Sequence, residues 1–150
     1  MASPPINSVG AFWLASIAGA YVGTLVQGLW SLARGGSLPS LWQEPAVAPI
    51  VVLGFGTLAL PAVALGLTIF GLPLGPSLRR YARRPWLAVV AALWGAVAGK
   101  LTFAAMEYAT TARGFRPLQL RLPDPGLCYG IATGLAWWWL ERLRARPPRA

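Results

Sequence analysis

The chain reads as an all-α, polytopic membrane protein, a bundle of four transmembrane helices with short loops. Three observations carry that reading. Apolar residues make up 56% of the chain and charged residues only 11%, against about 25% charged in soluble proteins. Four long runs, residues 9–33, 45–78, 85–99 and 125–140, carry no charge at all. A bilayer core needs about 20 apolar helical residues, so these runs correspond to four spans. Finally, 8 of the 13 basic residues fall in two clusters, Arg79, Arg80, Arg83, Arg84 and Arg142, Arg144, Arg146, Arg149. Basic clusters at span ends are what the positive-inside bias produces.

The first span covers approximately residues 9–32. It follows a short proline-containing stretch with no basic residue and ends at Arg34-Gly35-Gly36. That is too long an apolar run for a cleaved signal sequence, so the helix is read as retained. Gly19 and Gly23 lie four apart, a spacing that lets helix backbones approach closely. A short loop containing Trp42, placed at headgroup level, leads to the second span at residues 46–72. Pro61 falls near its centre, where a missing donor and a ring clash should kink it. Pro73 and Pro76 then stop it.

Residues 77–84 form the first basic cluster, and Trp86 anchors the third span at residues 86–111. The loop after it alternates Leu118, Leu120 and Leu122 with Gln119 and Arg121. Five residues of period two are too few for a strand, so this is read as an ordinary loop. The fourth span, residues 125–142, opens with Gly126, Gly130 and Gly134, the clearest close-packing signature in the chain. It closes with Trp137-Trp138-Trp139 as an aromatic belt and then Glu141-Arg142. With four arginines each in the second loop and the tail, both termini are placed on the cytoplasmic side, as in a bacterial inner membrane. Phe12-Trp13-Leu14-Ala15 echoes Pro85-Trp86-Leu87-Ala88, but such similarity arises easily among Ala- and Leu-rich helices and no repeat is inferred.

Candidate functional residues are few. Lys100 is the fifteenth residue of a 26-residue span, near the midplane, where a lysine costs about 2.5–3.5 kcal/mol on insertion scales. Such a residue should face the bundle interior, which makes the third span the element that orients the others. Glu107, seven residues on, lies ~10.5 Å further along and about 20° around the helix. They share a face but are far apart for an ion pair. Gln27, Thr57 and Thr133 are the partners expected for Lys100 at matching depth, and Tyr129 is placed closer to Glu107. Together these six form a candidate polar intramembrane site. Gly19, Gly23, Gly95, Gly99, Gly126, Gly130 and Gly134 are assigned to helix packing. Arg79, Arg80, Arg83, Arg84, Arg142 and Arg144 are assigned to topology and anionic headgroups.

The function classes are narrowed mostly by what the composition lacks. There is no histidine and one cysteine, Cys128, which removes internal disulfides, most zinc chemistry and the commonest general base. No serine lies in the span that carries Lys100, so no catalytic constellation assembles. The net charge of +9 is explained by topology and does not require nucleic acid. The embedded first-span glutamate of small multidrug exporters and the paired cysteines of quinone-linked thiol oxidoreductases are both absent. The sequence therefore predicts no enzyme, no metal and no cofactor. It predicts partners in the bilayer: lipid, and either another membrane protein or further copies of the chain. The favoured role is a non-catalytic accessory, assembly or interaction subunit of a larger membrane complex. The alternative is a small homo-oligomeric transporter or channel with a polar path at Lys100 and Glu107.

Overall fold

A computed structural model describes residues 8–33, 47–75, 81, 83–111 and 124–145. Trp42, the loop at 115–123, Arg79, Arg80, Arg146 and Arg149 lie outside the described residues. The described chain is all-helical, with four long helices: α1 (Ser8–Ala33), α2 (Ala48–Gly66), α3 (Trp86–Thr111) and α4 (Pro125–Arg144). α2 continues directly into a π-helical turn, Leu67–Gly71. Three helices are long and apolar enough to cross a membrane: α1, α2 with its π turn, and α3. α4 is long enough but less apolar, because glycines, a tyrosine and a charged last turn dilute it.

Local chemistry explains the helix ends. Asp124 caps α4, its carboxylate accepting from the Leu127 amide at 3.4 Å, and Pro125 follows at the first helical position. That order suits a helix start, since Asp satisfies an orphan amide and Pro has none to leave unpaired. α2 runs through Pro61 as a continuous helix. A π turn begins six residues later, at Leu67. There, the Leu72 amide reaches back five residues to the Leu67 carbonyl at 3.0 Å. The wide turn lies among Gly66, Gly71 and Pro73, where the backbone is least constrained to α geometry.

Packing centres on α4. It runs between α1 and α3 and packs along both, α1 also packs on α2, and α2 and α3 meet more sparingly. The third span, α3, is therefore not the organiser that Lys100 suggested. Two-sided burial explains α4's weaker apolarity, because a helix clasped by neighbours needs less lipid-compatible surface. Its buried residues include Gly126, Gly130, Thr133, Trp137 and Leu140, spaced at three and four.

Small residues make the contacts close. A Cβ added to Gly99 would lie 2.7 Å from Gly130 Cα, and one added to Gly126 would lie 2.8 Å from Lys100 Cα. On the other side, a Cβ on Gly23 would meet Tyr129 Cα at 2.8 Å, and Gly19 faces Thr133. Real Cβ atoms do not approach so near, so at these points the helices touch backbone to backbone. In lipid the hydrophobic effect does not drive helices together, and dense van der Waals contact takes its place. Two apolar clusters flank the contacts. Ala11, Ala15 and Leu67 gather around Trp137 and Leu140, and Ala20, Ala59 and Val63 gather around Tyr129. Large apolar side chains such as Leu53, Leu58, Val89 and Leu93 point outward, each more than half exposed.

Candidate functional site

Lys100 sits where α3 meets the first turn of α4. Its ammonium donates to the Asp124 carboxylate, forming an ion pair whose side chains keep only 18% and 6% of their exposure. Asp124 thus has two roles, capping α4 with one oxygen and holding Lys100 with the other. α3 and α4 run antiparallel, with Gly99 opposite Gly130 and Lys100 beside Gly126. The α4 helix therefore begins level with Lys100, and α3 continues another eleven residues, ~16 Å, beyond that level.

This geometry separates the six polar residues expected to share a site. Glu107 is exposed on the far part of α3, past the start of α4. Tyr129 lies one turn into α4, on the opposite side of Lys100 from Glu107, rather than near the latter. It is 5% exposed, its ring stacks on Phe103 with centroids 5.2 Å apart, and its hydroxyl meets Thr24 Oγ1 at 2.9 Å. Thr24 gives its own proton to the Ala20 carbonyl at 2.8 Å, so the tyrosine is the donor of that bond. Thr133 donates to the Tyr129 carbonyl at 2.7 Å and lies against Gly19. Thr57 donates to Leu53 O at 2.7 Å and accepts from Tyr21 across the α1–α2 interface at 3.0 Å. Gln27 is half-buried on α1. The Tyr129–Thr24, Tyr21–Thr57 and Lys100–Asp124 contacts thus fall at three different helix interfaces.

The described arginines, Arg83, Arg84, Arg142 and Arg144, gather at one end of the bundle. Arg83, just before α3, donates to the carbonyl of Ala145, just after α4. Arg84 lies over the Tyr81 ring at 5.7 Å and Arg142 over the Trp138 ring at 5.4 Å. Beneath them Glu141 is 2% exposed and bonds Arg144 at 2.7 Å. Near this end Ser16 Oγ, Trp137 Nε1 and Trp138 Nε1 are buried without a hydrogen-bond partner among the described residues.

The sparse contact between α2 and α3 leaves an apolar groove of ≈ 310 Å³ whose floor is α4. Gly66, Phe70 and Leu74 form one wall, and Val90, Trp94 and Phe103 form the other. Trp94 spans it, its indole N–H donating to the Phe70 carbonyl at 3.1 Å with the two rings edge to face at 6.5 Å. Phe70 belongs to the π turn, whose altered register leaves carbonyls for such partners.

Sequence reasoning missed Asp124 as the partner of Lys100 and missed the groove. The fourth span was read from residue 125, where α4 does begin. The level of that start within the bundle was not legible, because it depends on how α3 slides along α4. Among the described residues no three His, Cys, Asp or Glu side chains are grouped to hold a metal. No protein-family model matches the chain, and no curated protein or solved structure matches it.

Proposed function

We propose that the protein is an integral membrane, non-catalytic accessory or assembly subunit that works through its lateral surfaces in a larger membrane complex. The observation that carries this reading is the Lys100–Asp124 ion pair. The charge that most suggested transport is matched by a carboxylate that also caps a helix. An embedded ion pair of that kind fixes the relative placement of two helices, here the starting level of α4 along α3. The backbone-close glycine contacts serve the same end. What remains for function is the outer surface, which is apolar and carries Trp13, Trp30 and Trp139 at least two-fifths exposed. The arginine clusters of the sequence support a reading in which both termini face the cytoplasm of a bacterial inner membrane.

Purification from native membranes in a mild detergent tests the reading. A defined larger particle containing a second membrane protein is expected. Recovery as a lone monomer or homo-oligomer would sink it. Solute flux in liposomes that disappears on Lys100→Met would replace it with the transporter reading, in which Lys100 and Glu107 line a polar path.

A further inference from the structure

We infer that the groove between α2 and α3 is a binding site for one acyl chain of an anionic phospholipid, whose headgroup rests on Arg83 and Arg84. This goes beyond the accessory-subunit reading and does not depend on it.

The lining selects hydrocarbon. Its polar side chains are committed elsewhere: Thr102 donates to Ala98 O at 2.8 Å, Thr133 to Tyr129 O at 2.7 Å, and Trp94 to Phe70 O at 3.1 Å. The Tyr129 hydroxyl is taken by Thr24. A polar ligand would find few donors or acceptors to use, and its own polar groups would be left unpaired.

The shape suits a chain. The lining runs from Val90 to Phe103 along α3, ~20 Å of helix, and its volume of ≈ 310 Å³ lies at the small end of the range for ligand pockets, about 300–1,000 Å³. A small volume drawn out over that length suits a slender hydrocarbon chain. Gly95 and Gly99 of α3 and Gly130 and Gly134 of α4 line the base of the groove, where the two helices meet backbone to backbone.

Charge selects the headgroup. At the end of the groove marked by Leu74, Val90 and Trp137, the chain carries Arg83 and Arg84. Both are exposed. Val90 is four residues, ~6 Å, into α3, and Arg84 lies two residues before that helix begins, an order that puts a headgroup at the arginines and its chain in the groove. Arg83 spends one donor on Ala145 O, and a guanidinium has four more N–H groups.

The test uses the full-length protein in nanodiscs containing equal parts of phosphatidylglycerol and phosphatidylcholine with identical chains. Lipid retained through stepwise delipidation is counted by native mass spectrometry. One phosphatidylglycerol per chain is expected to persist, favoured over phosphatidylcholine by roughly tenfold or more, as two arginines near an anionic headgroup imply. Arg83→Gln together with Arg84→Gln should bring that preference close to one. Val90→Trp, which fills the mouth from an exposed position, should abolish retention of both lipids. Leu74→Trp gives the same readout should Val90→Trp fail to fold. Equal retention of the two lipids in the wild type, or a preference that survives loss of both arginines, overturns the headgroup assignment. Retention unchanged in the folded tryptophan variants, or a neutral isoprenoid or second copy of the chain held in place of phospholipid, overturns the groove assignment.

Discussion

At the scale of single residues, Asp124 concentrates most consequence in one side chain. It is 4% exposed, caps α4 and neutralises Lys100. The two roles can be separated, since asparagine caps a helix about as well as aspartate but carries no charge. Asp124→Asn should therefore keep the α4 start and lose only the ion pair. Removing one partner of a buried pair costs about 3–5 kcal/mol in soluble proteins. With the Lys100 side chain still 18% exposed and not fully buried, a loss nearer ~2 kcal/mol is expected. Lys100→Met alone should cost a similar amount, by leaving the carboxylate unpaired. The double variant should be less destabilised than the sum, with a coupling of about 1–2 kcal/mol, read as unfolding midpoints in mixed micelles. Additive losses would show that the pair is not energetically coupled. Lys100 was legible in the sequence because a lysine inside an apolar run is costly. Its partner was not, because an Asp before a Pro reads equally well as an ordinary loop residue.

At the scale of elements, the glycines differ sharply in what surrounds them, although the sequence presents them alike. Gly130 lies on the α3 backbone, where an added Cβ would collide with the Gly95 carbonyl. Gly54, in the middle of α2, has nothing within 4 Å of such a Cβ. Gly130→Ala should push α3 and α4 apart and cost about 1–3 kcal/mol, as overpacking does. Gly54→Ala should stabilise by about 0.5–1 kcal/mol, because alanine is the better helix former. Thermal unfolding in detergent checks both, and equal shifts in the same direction would contradict the packing described. The four-residue spacing recurs on three of the helices. It could not identify their partners, and Gly19 meets a threonine while Gly95 meets another glycine. The π turn was less legible still. Pro61 was the visible disturbance in the second span, yet the wide turn falls at Leu67–Gly71, where Trp94 takes the Phe70 carbonyl. Trp94→Phe removes that donor but keeps the ring. It should lower stability by about 1 kcal/mol, the worth of one such hydrogen bond.

At the scale of the whole molecule, the all-α class and the membrane-length helices followed from composition and uncharged runs, which depend only on local sequence. The arrangement did not follow, because arrangement depends on which surfaces meet. Lys100 pointed to α3 as the organiser, whereas α4 packs along both α1 and α3 and holds them on its two sides. α1 and α2 share their own interface through Tyr21 and Thr57, while α2 and α3 meet chiefly around Trp94 and Thr102. A chain ending at residue 123 should therefore keep the α1–α2 pair and release α3. Spin labels at Val22 and Leu58, exposed positions on α1 and α2, should report one narrow distance with or without α4. Labels at Val22 and Met106, on α1 and α3, should report a narrow distance in the full chain and a broad distribution in the shortened one. An unchanged α1–α3 distance after removal of α4 would mean that the sparse α2–α3 contacts, and not α4, hold the bundle together.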